Sequence, residues 1–147
     1  MEPREAMKRL NELLTQVETT YLTIATENGL SYNALMMLLM VGEYEHVTQK
    51  DVCDVLHLPK SSVHGILKEQ IDRGLLMLTE GGNKKEKYIV PTADGKNFIR
   101  KVSAETAEIE NNTIDAIPEQ DMKKFIRTAE MLTDRMIRET KKLYGRK

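Results

Sequence analysis

Two short stretches of this 147-residue chain carry side chains suited to binding nucleic acid. Residues 60–68 read KSSVHGILK and offer hydroxyl, imidazole and ammonium groups, whereas residues 84–87 read KKEK. Serine hydroxyls bond base edges or phosphates, and lysine ammonium groups neutralise phosphates. The simpler alternative is that the serines only cap a helix and that the other polar groups are solvated. We favour DNA contact for Lys60, Ser61, Ser62, His64, Gly65, Lys68, Lys84, Lys85 and Lys87.

The residues from 48 to 73 predict two short helices joined by a tight turn. Thr48 is a good N-cap for the first helix, and Asp51 stands where a capping box needs an acidic side chain. Pro59 suits the first turn of the second helix, which is expected to run to about Arg73. The expected inner faces are Val52, Val55 and Leu56 in the first helix and Val63, Ile66, Leu67 and Ile71 in the second.

A β-hairpin is expected after the second helix. Residues 75–80 and 87–92 have strand character, and the intervening Gly81-Gly82-Asn83 tolerates the positive φ of a turn. Two helices followed by a basic hairpin form a winged helix-turn-helix, a device that places its second helix in the major groove of DNA. The predicted fold class is therefore mainly α with a small β-hairpin wing, the winged helix-turn-helix covering about residues 31–95.

Gly65 is an unusual residue for the middle of a helix. Glycine there costs about 1 kcal/mol relative to alanine. A close approach of the helix backbone to DNA is one function that would offset this cost.

Apolar side chains at alternating spacings of three and four predict amphipathic helices at both ends of the chain. In a lone small domain, the central segment would have to cover both stripes, and packing against a second copy is the simpler solution. We therefore expect one domain, residues 1–147, that forms a homodimer through helices within residues 4–28 and 96–145. The stripes are Met7, Leu10, Leu14, Val17, Tyr21 and Ile24, then Met122, Phe125, Ala129, Leu132 and Met136.

The charge balance argues against a protein that coats DNA non-specifically, because such proteins are strongly basic. The chain has 22 Lys and Arg against 23 Asp and Glu, and residues 48–88 carry seven positive and six negative charges. DNA binding is therefore expected to involve few phosphates and two copies of the chain. No apolar run approaches the roughly 18 residues of a membrane span, and the charged N-terminus lacks a signal-peptide core. A cytoplasmic protein without membrane contact is expected.

The sequence offers no support for an enzyme, a metal site or a cofactor. It has no glycine-rich phosphate loop, no nucleophile elbow and no spacing that pairs carboxylates with a histidine. The single cysteine, Cys53, is interpreted as a buried inert thiol. A metal site would need the three histidines to converge in space, whereas His57 falls in a turn and His64 is expected to face DNA.

The predicted helix at residues 32–42 is apolar nearly all round and should be buried on most sides. Its methionines are interpreted first as flexible core fillers. The alternative is a small-molecule pocket that includes Met36, Met40 and Tyr21.

The order of these elements resembles the MarR family of bacterial and archaeal transcription regulators over essentially the whole chain. The motifs that carry the resemblance are Leu30-Ser31, Thr48-Gln49, LPKSSV at residues 58–63, Gly74-Leu75-Leu76 and Pro91-Thr92-Ala93-Asp94-Gly95. The resemblance implies a homodimeric repressor or activator that binds a pseudo-palindromic operator. It also implies an effector, often an anionic aromatic compound, between the dimer helices and the DNA-binding lobe.

Several positions depart from the family pattern. Gly65 and Leu78 stand where members often have arginine, and Lys84-Lys85 replaces the usual arginine pair of the wing. Lysine is a point charge without the flat fork of arginine, so phosphate binding is expected to survive while reading of the minor groove weakens. The alternative function is a dimeric helical protein-interaction module whose winged helix does not read DNA specifically.

Overall fold

A computed structural model of the protein describes residues 1–83 and 85–145. The bounds of its elements are α1 Pro3–Glu27, α2 Tyr32–Glu43, α3 Gln49–Leu56, α4 Lys60–Asp72, β1 Leu76–Glu80, β2 Lys87–Pro91, α5 Ala93–Asp115 and α6 Glu119–Tyr144. The predicted fold class, mainly α with a β-hairpin wing, is confirmed. The chain divides into two compact units, Met1–Thr106 and Ala107–Lys147. The assignment of a winged-helix lobe and dimerisation helices within one domain stays a prediction.

Helix α2 supplies the centre of the first unit. Ser31 caps it by accepting a hydrogen bond from the Ala34 N–H at 3.1 Å. Because α2 is apolar on nearly every side, it packs against α1, α3, α4 and β2 at once. Its buried residues are Ala34, Leu35, Met37, Leu38 and Val41.

Helix α3 begins with the predicted capping box. The Thr48 hydroxyl accepts from the Asp51 N–H at 3.1 Å, and the Asp51 carboxylate accepts from the Thr48 N–H at 2.9 Å. The prediction that Val55 faces inward is wrong, because its side chain is 60% exposed. Val52 and Leu56 lie one turn apart on the inner face, and half-buried Cys53 takes the place beside them. Val55 is rotated away from this face.

The hairpin is attached to the body of the first unit at its base. Its register pairs Leu76 with Pro91 and Glu80 with Lys87. Val47, which precedes α3, bridges to Ile89 on the other side of β2, where the Ile89 N–H donates to the Val47 carbonyl at 2.7 Å. Leu76, Ile89 and Val47 are buried, so the base of the wing is part of the core.

A short junction fixes where α5 begins relative to the end of α4. The Thr92 hydroxyl donates to the Gly74 carbonyl at 2.6 Å and accepts from the Gly95 N–H at 2.9 Å, while the Thr92 N–H donates to the Leu75 carbonyl at 3.1 Å. A Cβ atom at Gly95 would overlap the carbonyl oxygen of Leu75. Threonine and glycine at these positions therefore allow the two segments to approach closely.

Asn28 joins the end of α1 to α5 within the first unit. Its buried side-chain amide donates to the Ile24 carbonyl at 2.9 Å and to Glu105 at 3.0 Å. Its oxygen accepts from the Lys101 ammonium at 2.9 Å, and Lys101 also forms an ion pair with Glu105 at 2.7 Å. These hydrogen bonds lower the pKa of Glu105, the one from Lys101 contributing most.

In the second unit, α6 has no buried residue. Pro118 precedes it, and every member of the predicted apolar stripe lies within it. Phe125 and Met136 of that stripe are 54% and 49% exposed, and Ile126, Ile137 and Leu143 are exposed as well. No helix in the described part of the chain is long and apolar enough to cross a membrane.

Candidate nucleic-acid interface

Helix α4 is held by one face and presents the other to solvent. Val63, Leu67 and Gln70 recur at helical spacing and are each no more than 2% exposed, which fixes the rotation of the helix about its axis. All six residues of α4 that the sequence selects for DNA contact are exposed, and the contact itself stays a prediction. They are Lys60, Ser61, Ser62, His64, Gly65 and Lys68.

The exposed serines and lysines of α4 make no side-chain hydrogen bond or ion pair within the described residues. Pro59 is the N-cap, and no side chain caps this helix, so the two serines do not act as caps. Within the described residues, Ser61 and Ser62 have no side-chain hydrogen-bond partner, and Lys60 and Lys68 have no ion pair. This removes the simplest structural explanation for the serines and leaves their hydroxyl groups available to a partner.

The charges of α4 divide along its length. Lys60 and Lys68 lie in its first nine residues, whereas the exposed acids Glu69 and Asp72 lie in its last four. The N-terminus of a helix also carries a partial positive charge and free N–H groups that favour anions. The N-terminal part of α4 is therefore the part suited to a polyanion.

Gln70 and Arg73 anchor the C-terminal end of α4, and sequence reasoning missed the burial of Gln70. Its spacing of seven from Val63 was the signal for an inward position. The Arg73 guanidinium donates to the Gln70 side chain at 3.4 Å and to the Gly29 carbonyl at 3.3 Å, and it lies 5.8 Å from the centre of the Phe98 ring. These contacts join α4 to the α1–α2 turn and to α5.

The wing presents fewer free charges than its sequence suggests. Lys85 is exposed, but Lys87 forms an ion pair with Glu80 at 3.0 Å across the two strands. Asn83 shapes the turn, because its side-chain oxygen accepts from the N–H groups of Lys85 at 2.9 Å and Glu86 at 3.0 Å. Lys84 lies outside the described residues. Phosphate contact by Lys84, Lys85 and Lys87 stays a prediction.

Lys50, at the start of α3, is also engaged within the protein. It pairs with Asp54 at 2.8 Å, and this hydrogen bond raises the pKa of the lysine. Asp54 therefore balances part of the charge of Lys50 within the protein.

The residues proposed for a small-molecule pocket lie in or beside the core. Tyr21, Met36 and Met40 are half-buried and pack against the core cluster. Their position fits the interpretation as core fillers, and a pocket there stays a prediction. Among the described residues, no group of three His, Cys, Asp or Glu side chains is arranged to hold a metal ion.

The segment that contains this surface is similar to a known protein family. The sequence profile of the MarR family matches residues 28–85, from the end of α1 through the turn of the wing. This part of the chain is therefore similar to the MarR family. The matched residues include the exposed face of α4 and the first strand of the wing. Among proteins with curated descriptions, none matches the chain in sequence.

Solved structures extend the similarity in fold to nearly the whole chain. A MarR family regulator from Neisseria meningitidis is 19% identical with a TM-score of 0.81, covering 97% of this chain and 99% of that one. A Listeria monocytogenes member, complexed with a 26mer DNA, is 15% identical with a TM-score of 0.74 over 96% of this chain and 95% of that one. The protein CouR from Rhodococcus jostii, bound to p-coumaroyl-CoA, is 22% identical with a TM-score of 0.70 over 84% of this chain and 90% of that one.

Proposed function

We propose that this protein is a DNA-binding transcription regulator that acts as a homodimer on a pseudo-palindromic operator. The observation that carries the proposal is the outer face of α4, where Ser61, Ser62, Lys60 and Lys68 are exposed and unpaired within the described residues. Serine hydroxyls can bond base edges or phosphates, and lysines neutralise phosphates. The MarR family match over residues 28–85 and the DNA complex of the Listeria relative support this proposal.

The near-neutral charge supports binding by two copies rather than one. One copy offers few unpaired cations near the helix-turn-helix, because Lys50 and Lys87 are paired with acids. Two copies would double the number of phosphates neutralised and place two α4 helices in successive major grooves, with half-sites about 10 bp apart.

Exposed apolar side chains on α1 and α6 support the dimer. Leu14 and Val17 of the α1 stripe are 50% and 55% exposed, and Phe125 and Met136 of the α6 stripe are similarly exposed. Contiguous exposed apolar residues of this kind mark interaction surfaces in soluble proteins. Covering both stripes with a second copy would bury them in a symmetric interface.

Regulation by a small molecule is part of this proposal. Relatives of the same fold have been solved with p-coumaroyl-CoA and with salicylate and kanamycin. An effector that binds one spacing of the two lobes better than the other would shift the population and so change DNA affinity. The competing proposal, a dimeric protein-interaction module, is favoured by the near-neutral charge and by Gly65, Leu78 and Lys84-Lys85, which stand where MarR family members often have arginine.

A mobility-shift titration on DNA upstream of the chain's own coding sequence, at low and physiological salt, tests this function. We expect a retarded complex that weakens as salt rises, and sedimentation at micromolar concentration should give a dimer. The double variant Lys60→Ala/Lys68→Ala should lower the salt slope by about one unit for each phosphate contact that is lost. Lys8→Ala, an exposed lysine of α1, is the matched control and should bind as the wild type does.

A confirmed dimer that shifts no fragment at low salt would favour the interaction module. A monomer at micromolar concentration would contradict the dimer.

A further inference from the structure

Gly65 occupies the most outward line of α4. A helix turns by about 100° per residue, which places Gly65 roughly 160° around the axis from Val63. Val63 is fully buried. The same outward face contains exposed Ser61 before Gly65 and exposed Lys68, Glu69 and Asp72 after it. A flat surface that contacted α4 from outside would therefore meet Gly65 near the centre of the contact.

The fold itself gives no reason for glycine at this position. Gly65 is not among the residues with positive φ, and a Cβ atom built on it would meet nothing within 4 Å. Gly42 and Gly95 differ, because a Cβ atom there would run into Ile99 or the Leu75 carbonyl. Alanine at position 65 would thus favour the helix without a clash. Glycine at this position destabilises the free protein and provides no packing that alanine would disturb.

We propose that Gly65 is a specificity-determining residue at which the backbone of α4 lies directly against base-pair edges in the major groove. This inference rests on the proposed DNA-binding function. Without a side chain at the centre of the exposed face, the helix axis can lie closer to the bases. The hydroxyl groups of Ser61 and Ser62, one turn earlier, then reach base edges that a side chain at position 65 would keep out of their reach. Only a base sequence whose edges in the major groove leave room for the backbone of α4 permits this approach.

Adding a side chain at position 65 should change stability and specific DNA binding in opposite directions. Gly65→Ala should raise the melting temperature by about 3 °C, since a helix-interior glycine is replaced by the best helix former. The added methyl group should lower affinity for the specific duplex about tenfold, as overpacking does in a close-fitted contact. Affinity for non-specific DNA and the salt slope should be unchanged, because no phosphate contact is lost. Gly65→Leu should bind the specific duplex still more weakly.

The experiment uses the full chain and a duplex selected from random-sequence DNA by the wild type, with a scrambled duplex of equal length. Binding is measured by fluorescence anisotropy and melting by circular dichroism. Asn97→Ala is the matched control, because it replaces an exposed residue of α5 by a better helix former outside α4 and removes only one exposed hydrogen bond, which the Arg100 guanidinium donates at 3.3 Å. It should raise stability and leave both affinities unchanged.

Several results would overturn the inference about Gly65. These are an unchanged specific affinity in Gly65→Ala, equal losses on both duplexes, a lower melting temperature, or a loss of affinity in the Asn97→Ala control. A wild type that prefers no sequence is a different result, since it overturns the proposed function and the inference with it.

Discussion

Replacing Gly95 by alanine tests the junction that sets α5 and the wing relative to α4. The added Cβ atom would overlap the carbonyl oxygen of Leu75, and its next contacts would be the Leu75 carbonyl carbon at 2.8 Å and the Thr92 hydroxyl at 3.2 Å. Two of these three atoms belong to the backbone, so no change of side-chain rotamer can relieve the overlap. The N-terminus of α5 must therefore move away from residues 74 and 75.

That movement disturbs packing and hydrogen bonds at the start of α5. Overpacking in a well-packed region typically costs about 1–3 kcal/mol. The movement also stretches the hydrogen bonds that join Thr92 to Gly74, Leu75 and Gly95, at 2.6, 3.1 and 2.9 Å, each worth about 1 kcal/mol. A gain in helix propensity of about 1 kcal/mol offsets part of this loss. We expect Gly95→Ala to lower the free energy of unfolding by about 3 kcal/mol.

Urea denaturation at one fixed protein concentration measures this change. With a slope of about 2 kcal/mol per molar urea, the midpoint should fall by about 1.5 M. Gly65→Ala is the matched control, because it is the same substitution within a helix but in open space, and its midpoint should rise. A Gly95→Ala protein as stable as the wild type would refute the close approach of Leu75 to α5.

Three further predictions concern the cap, the ion pair and the wing. Thr48→Ala should cost about 1 kcal/mol in urea unfolding through loss of the capping box, and an unchanged midpoint would contradict the cap. Because the hydrogen bond from Lys101 lowers the pKa of Glu105, the stability it contributes is complete above its ordinary value of 4.5 and is lost as pH falls through the lower folded-state value. From pH 7 downward, the free energy of unfolding of the wild type should therefore include a pH-dependent loss that Glu105→Gln does not show. Curves of identical shape for the two proteins would contradict this role of Glu105. Replacing Lys84 and Lys85 by alanine should reduce the salt slope of DNA binding by about one unit per lost phosphate contact, and an unchanged slope would remove the wing from the interface.

The order of the elements could be predicted because its signals are local. Thr48 caps α3 at the predicted position, and Pro59 stands just before α4. Each of these signals depends on a few neighbouring residues and on backbone chemistry. The exposed face of α4 could be predicted for the same reason, since helical spacing fixes which side chains share a face.

The features that sequence reasoning missed depend on contacts between distant segments. Gln70 is buried because α4 packs against the core, although its polar type suggests the surface. Lys87 is paired because the hairpin register brings Glu80 opposite, and Arg73 reaches Gly29, 44 residues away in sequence. The wrong assignment of Val55 has a different cause. In a helix of eight residues, two adjacent apolar positions fit an inward face almost equally well, and only packing selects between them.

We expect the outer face of α4 to read base sequence, with two copies of the chain on one DNA site. The most direct measurement is selection of bound duplexes by the wild-type protein from a random-sequence pool, followed by determination of the stoichiometry on the enriched DNA. We expect an enriched pseudo-palindrome with half-sites about 10 bp apart, bound by two chains. Binding without enrichment of any sequence, or a single chain on an asymmetric site, would contradict the claim.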